Sequence, residues 1–187
     1  MDENDKRQGL WKFFYETGEL KAQGNYKDNL KTGDWIYYYS DSTVEQRGKY
    51  VNDRPSGLWK WYFDNGSIWR EENLRKGQEE GAFVEYDRDS NIVIKGEYVD
   101  GEREGMWFYR TGDNTEEGLY QAGMREGEWK HYHPNGQLSY KGSYVQGTPD
   151  GKHVWYFENG LKREEGFYSM GVKEKNWIKY DMEGLPY

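Results

Sequence analysis

Large rings and small turn-forming residues alternate along this chain at a fixed period, with few aliphatic side chains between them. Gly9, Gly33, Gly57, Gly81 and Gly105 stand 24 residues apart; Gly127 follows after 22 and Gly151 after another 24. Two places beyond each Gly comes Trp11, Trp35, Trp59, Phe83, Trp107 or Trp129, then His153, and Trp177 fills the slot in a partial eighth unit. With each first Gly as position zero, a second ring recurs at position five: Phe14, Tyr38, Tyr62, Tyr86, Tyr132, Tyr156 and Tyr180. A third recurs at position seventeen: Tyr26, Tyr50, Tyr98, Tyr120, Tyr144 and Tyr168, with Leu74 in the third repeat. A period of this length marks an array of stacked units.

Each unit reads as strand, tight turn, strand, turn. Trp59-Lys60-Trp61-Tyr62-Phe63 is β-prone through its rings, and Asp64-Asn65-Gly66 follows. Asn-Gly is the leading two-residue hairpin signal, and it returns at Asn135-Gly136 and Asn159-Gly160. Leu20, Val44, Ile68, Ile92 and Leu138 occupy position eleven of the return strand, whereas Leu161 sits one place early, which predicts a bulge or register adjustment. The fifth repeat is two residues short around Arg110-Thr111-Gly112, which predicts a tighter loop. All 24 Gly fall into four register classes, and the class at position twenty becomes Asn29 and Asp53 in the first two repeats. Gly, Asn and Asp tolerate left-handed backbone angles, so a positive φ is expected there. No stretch shows helical periodicity. The expected fold is all-β: an elongated repeat array of antiparallel β-hairpins, about seven and a half repeats of ~24 residues. It forms one domain over residues 9–187, and residues 1–8 are a polar lead-in prone to fraying.

Composition changes this picture in one respect. At 34% hydrophobic and 32% charged, with net charge −8, the chain has the balance of a disordered segment, but 18% of it is aromatic. Rings carry large apolar areas that seek burial, so the expected core is thin and built of rings. There is no Cys, hence no disulfide or thiolate metal site. Met1-Asp2-Glu3-Asn4-Asp5 has neither a basic nor an apolar leader region, and no apolar run approaches the ~18 residues of a membrane span. A cytoplasmic location without a transmembrane segment is the expectation. The acidic balance disfavours nucleic acid, whose phosphates repel carboxylates, and favours a basic partner.

Candidate chemistry is sparse. His131 and His133 lie two apart on a strand and His153 one repeat on, a set that could bind zinc. All three occupy slots that hold Trp or Phe elsewhere (Trp61, Phe63 and Trp59), so no metal site is assigned. Pairs such as Glu79-Glu80 and Glu116-Glu117 are expected by chance among 34 acidic residues. No nucleophile constellation, phosphate-cradling loop or cofactor fingerprint is present, so neither catalytic residues nor a cofactor is assigned. The fourth repeat departs from the pattern. Positions four and six hold rings in most repeats, as in Tyr37 and Tyr39 or Trp61 and Phe63, but here they are Glu85 and Asp87. Glu71, Glu72, Glu79, Glu80 and Asp89 surround them. An acidic patch steering a basic partner is one reading; a solvated face that prevents sideways aggregation is the other. The ring row at positions four and six is either self-packed along the sheet or a protein-binding face rich in hot-spot residues. The candidate partner-binding residues are thus Glu79, Glu80, Glu85, Asp87, Trp61, Phe63, Tyr37 and Tyr39.

Gly142-Ser143-Tyr144-Val145-Gln146-Gly147-Thr148-Pro149-Asp150-Gly151 has the spacing G-x-Y-x-x-G-x-x-x-G and resembles the MORN repeat (membrane occupation and recognition nexus). Gly96 to Trp107 places a ring two residues after the last Gly and is more similar to the MORN repeat variant. The resemblance covers essentially residues 9–187. It implies a non-enzymatic interaction protein. Bacterial arrays of this kind resemble the YwqK-type antitoxin family, which implies an immunity role in which the chain neutralises a basic toxin. Two alternatives stay open: a bacterial cell-surface or glycan-binding repeat protein, because repeats with paired rings also resemble cell-wall-binding modules, and a membrane-associated scaffold. Net charge −8 opposes binding to anionic lipid. The oligomeric state is open too: Leu185-Pro186-Tyr187 is a candidate end cap, and without a cap the array would associate end to end.

Overall fold

The computed structural model describes residues 5–187. Asp2 and Glu3 of the polar lead-in lie outside the described residues. The described residues form sixteen antiparallel strands and no helix. In chain order the strands are β1 (Gly9–Phe14), β2 (Leu20–Lys27), β3 (Leu30–Tyr38), β4 (Val44–Val51), β5 (Arg54–Tyr62), β6 (Ile68–Arg75), β7 (Gln78–Tyr86) and β8 (Ile92–Val99). They continue with β9 (Glu102–Thr111), β10 (Asn114–Gln121), β11 (Met124–Tyr132), β12 (Leu138–Val145), β13 (Thr148–Tyr156), β14 (Lys162–Ser169), β15 (Val172–Lys173) and β16 (Ile178–Lys179). Strand order follows chain order to β15, and β16 pairs back onto β14. The described residues divide into two compact units, 5–92 with 98–101, and 93–97 with 102–187.

In the first unit the joint between repeats is a ring laid over bare backbone. Trp35 is 1% exposed and pairs across the sheet with Gly24. A Cβ on Gly24 would meet the Trp35 ring at 2.2 Å, and one on Gly48 would meet Trp59 at the same distance. These glycines do not have positive φ; they are required because a side chain would occupy the space of the indole. The Trp35 indole N–H donates to the Asn25 carbonyl (3.2 Å) and that of Trp59 to the Lys49 carbonyl (3.2 Å). Tyr26 stands edge-on to Trp35, with centroids 5.2 Å apart at 89°, the arrangement favoured by the ring quadrupole. The second unit repeats the joint at Gly96–Trp107, Gly118–Trp129 and Gly166–Trp177. The third repeat keeps the joint with both members changed. Glu72 takes the glycine's place and pairs with Phe83, a smaller ring that leaves room for a Cβ.

The turns correct one expectation. The connections between repeats are the two-residue turns. Asp28 and Asn29 have φ of 53° and 70°, and Asn52 and Asp53 of 50° and 64°, the paired positive angles of a type I′ turn. The expected positive φ at Asn29 and Asp53 is therefore present. Asn65-Gly66, expected to be a two-residue turn, belongs to a three-residue loop. The Phe63 N–H donates to Ser67 O (2.9 Å) and the Gly66 N–H to Phe63 O (2.9 Å). Gly66 takes φ 81°, while the Asn65 side chain accepts from the Ser67 N–H (3.0 Å) and closes the loop locally. In the fifth repeat Thr111 pairs with Asn114, so Gly112 and Asp113 make the tighter two-residue loop expected from the shortening. Leu161 brings no register change of its own. Tyr156 pairs with Lys162 as Tyr38 pairs with Val44, and Leu161 stays in the loop, 41% exposed.

Alternation along the strands separates two faces within each unit. Positions two, four and seventeen share the ring-packed face. Position five points the other way and meets position fourteen of the preceding repeat. The Gln23 side-chain amide donates to the Tyr38 hydroxyl at 3.0 Å, while the Tyr86, Tyr132 and Tyr180 hydroxyls donate to Glu71, Glu117 and Glu165 at 3.1, 2.7 and 2.7 Å. Glu165 also holds Lys152 (2.8 Å) and Lys162 (2.9 Å), and these partners lower its carboxyl pKa to about 2. A depressed carboxylate stabilises the fold above its unfolded pKa and loses that contribution as pH falls through the folded value. The acid-induced loss of stability in the second unit should therefore extend from about pH 4.5 down to about 2. Glu165→Gln should flatten that slope in urea titrations run across the same range, and an unchanged slope would show that Glu165 contributes nothing to it.

Candidate functional site

The candidate rings pack along the sheet. Tyr37 stacks on Trp35 with centroids 5.9 Å apart, and Trp61 lies 5.9 Å from Trp59. The Tyr37 hydroxyl is 3.2 Å from that of Tyr50, whose pKa is raised by burial and then by this bond. Tyr39 donates to the Tyr62 carbonyl one repeat on (2.7 Å), as Tyr15 does to Tyr38 (2.6 Å). Phe63 carries the Arg88 guanidinium at 4.9 Å. All four candidate rings are half-buried. Their first job is to hold neighbouring repeats together; the exposed remainder is what a partner could touch.

A feature that pattern reading missed organises this face. In most units the residue two before position zero lays a cation over the ring that follows. Lys31 Nζ is 4.6 Å from the Trp35 centroid and Arg7 5.8 Å from Trp11; in the second unit Arg103, Arg125 and Lys173 lie 5.2, 4.0 and 3.8 Å from Trp107, Trp129 and Trp177. Pro55 and Pro149 take the place in the third and seventh repeats. The clue is the recurrence of Arg or Lys at this register position. In the fourth repeat the position is Glu79, and the cation arrives from β6 instead. The Arg70 guanidinium lies 4.8 Å from Phe83 and 5.3 Å from Trp61.

The acidic candidates gather around that exchange. Arg70 forms an ion pair with Glu72, which is 6% exposed, and its Nε is 4.0 Å from Glu85. Burial pushes the Glu72 carboxyl above its ordinary pKa; Arg70 opposes this, and Glu79 and Glu85 add to it. Glu80 binds Arg75 (3.3 Å) and accepts the Asp100 N–H (3.0 Å). Asp87 closes its hairpin loop, accepting from the backbone N–H groups of Asp89 and Asn91 at 2.9 Å each. Glu79 and Glu85 thus flank the Arg70–Glu72 pair, while Glu80 and Asp87 serve local backbone. The structure supplies a structural reason for Asp87 that its departure from the ring pattern had hidden. Residues 71–89 hold seven acidic and three basic side chains, whereas residues 1–70 hold eleven of each.

The histidines fill ring slots. His153 is 2% exposed; its Nε2 is 3.0 Å from the Ser143 carbonyl and its Nδ1 2.8 Å from the Tyr140 hydroxyl, which assigns the Nε2–H tautomer. Burial lowers its pKa. His133 reaches the Tyr156 carbonyl (3.1 Å), the contact that Tyr15 and Tyr39 make elsewhere. His131 Nε2 is 3.1 Å from Glu116; burial, reinforced by Arg125, lowers its pKa while Glu116 opposes. Among the described residues, no three His, Asp or Glu side chains are grouped to hold a metal ion.

The repeat that builds these joints is similar to a known one. Residues 7–28, 55–76 and 125–146 match the MORN repeat variant. The first two segments lie in the first unit and the third in the second, and they cover the strand pairs β1–β2, β5–β6 and β11–β12. MORN repeats are in general non-catalytic modules that bind proteins or membranes. No curated protein matches the chain. No helix of the described residues is long and apolar enough to cross a membrane.

Proposed function

We propose that the chain is a non-enzymatic protein-binding module whose partner presents a basic surface, and that the β6–β7 segment is where that partner docks. The observation that carries this is the local excess of four negative charges on residues 71–89 in a unit whose first 70 residues are balanced. Such a field raises association rates with a cationic surface and weakens with salt. The MORN-variant match supports an interaction role. A basic toxin neutralised by this chain, as in the YwqK-type antitoxins, is the narrower form of the proposal.

Glu79→Arg is the informative variant. It cuts the local negative excess by two at a position where Arg103 and Arg125 stand in other repeats; because Arg70 already covers Phe83, a urea midpoint equal to the parent's is the control for folding. Proteins retained by the immobilised chain from its source lysate at low salt should be basic. Their retention should drop in Glu79→Arg and should depend less steeply on salt. Equal retention by both forms across the salt series would sink the docking surface.

A further inference from the structure

Where neighbouring repeats lie in one unit, position thirteen stands on the ring-packed face between the position-four residues of its own and the next repeat. It is Gln46, Arg70, Ile94, Glu116, Tyr140 or Glu164 in six repeats and Ala22 in the first. Ala22 pairs with Phe13 on one side and Tyr37 on the other. There the side chain stops at Cβ, and a cleft of about 380 Å³ opens, walled by Phe13, Tyr26, Trp35 and Tyr37, with Lys21 and Lys31 alongside.

The sixth repeat shows what a ring in this position does. Tyr140 sits between His131 and Trp155, with centroids 4.7 and 4.9 Å away. Its hydroxyl reaches His153 and Tyr144. In the first repeat Phe13 stands for His131, Tyr37 for Trp155, Tyr26 for Tyr144 and Trp35 for His153; Ala22, Tyr26 and Trp35 are 5%, 7% and 1% exposed, so Phe13 and Tyr37 are the walls a guest ring could reach. Trp35 covers Gly24 itself, so a guest ring would lie shallower, between Phe13 and Tyr37.

We propose that the Ala22 cleft receives an aromatic side chain of a partner protein, carried on an acidic segment. Two lysines and no carboxylate line the cleft, and Lys31 Nζ sits 2.8 Å from the Tyr37 hydroxyl at its margin. A carboxylate next to the guest ring meets these charges, and a cationic neighbour is repelled by them. This site has the opposite charge preference to the β6–β7 segment and stands or falls separately from it.

The test uses the whole chain labelled with ¹³C in its alanine methyls and three acetylated tripeptide amides: Asp-Phe-Asp, Asp-Ala-Asp and Lys-Phe-Lys. Asp-Phe-Asp should shift the Ala22 methyl and the Trp35 indole saturably. The other two should bind at least about tenfold more weakly. Ala22→Tyr, which supplies the ring in cis as Tyr140 does, should abolish the Asp-Phe-Asp response. Ala22→Gln, which brings in the side chain that Gln46 supplies in the second repeat, takes its place where the tyrosine variant does not fold. Equal shifts from Lys-Phe-Lys, or an unchanged response in the filled variants, would overturn the proposal. Shifts from chitotetraose in place of the peptide would overturn it in favour of a glycan platform.

Discussion

Gly118→Ala should destabilise the second unit by about 3 kcal/mol, measured as a lower urea midpoint at unchanged slope. The added methyl would lie 2.2 Å from the Trp129 ring, which is fully buried. The indole cannot retreat cheaply. Its N–H is bound to the Leu119 carbonyl (3.1 Å), Tyr120 lies edge-on to it at 5.0 Å, and Arg125 covers it at 4.0 Å. Moving the ring breaks these contacts, and moving the strand breaks its ladder. Alanine is ordinarily better than glycine in a strand, so the sign of this change separates ring packing from backbone preference. A stabilised or unchanged protein would contradict the joint as described.

Arg70→Met should cost about 3 kcal/mol near neutral pH, because it leaves the Glu72 carboxylate buried without its cation and close to Glu79 and Glu85. The deficit should depend on pH. The folded-state pKa of Glu72 is already raised, so the folded chain holds this proton more tightly than the unfolded chain. The associated stability is fully present below the ordinary carboxylate pKa and is lost as pH rises through the folded value. Removing Arg70 raises the folded value further. The variant should therefore approach the parent on acidification and fall away toward neutrality, and Glu72→Gln in the same background should restore most of the loss at neutral pH. A deficit of constant size across that range would place the effect in lost packing of the arginine stem against Trp61 and Phe83.

Much of the architecture was legible because two residue types carry it. The sequence placed Gly24 in a register class at position fifteen and Trp35 at position two, but that the indole lies over that glycine depends on the cross-strand register and was not legible. Asn29 and Asp53 showed their turn through backbone sterics alone. Other features were not legible because they depend on which atoms meet across strands. Asn65-Gly66 has the composition of one turn and the geometry of another, since the Phe63–Ser67 pair closes outside it. Asp87 stands at a ring position but acts on loop amides. Glu72 was hidden by its context: a carboxylate in a glycine slot makes sense only beside a smaller ring at Phe83 and a guanidinium at Arg70. The cations over the rings were written in the sequence as a recurring Arg or Lys, yet their partners lie beyond a bulge that pattern reading passes over. The candidate site is therefore less a free acidic surface than a rewired joint in which Glu79 and Glu85 flank the Arg70–Glu72 pair.

Neighbouring repeats are held by a ring filling the space of a missing side chain, and a double-mutant cycle on Gly118 and Trp129 tests this most directly. Trp129→Phe reproduces the smaller ring that the chain itself pairs with Glu72 at Phe83. In that background Gly118→Ala should cost less than about 1 kcal/mol, against about 3 beside the indole. The same cost in both backgrounds would contradict the claim.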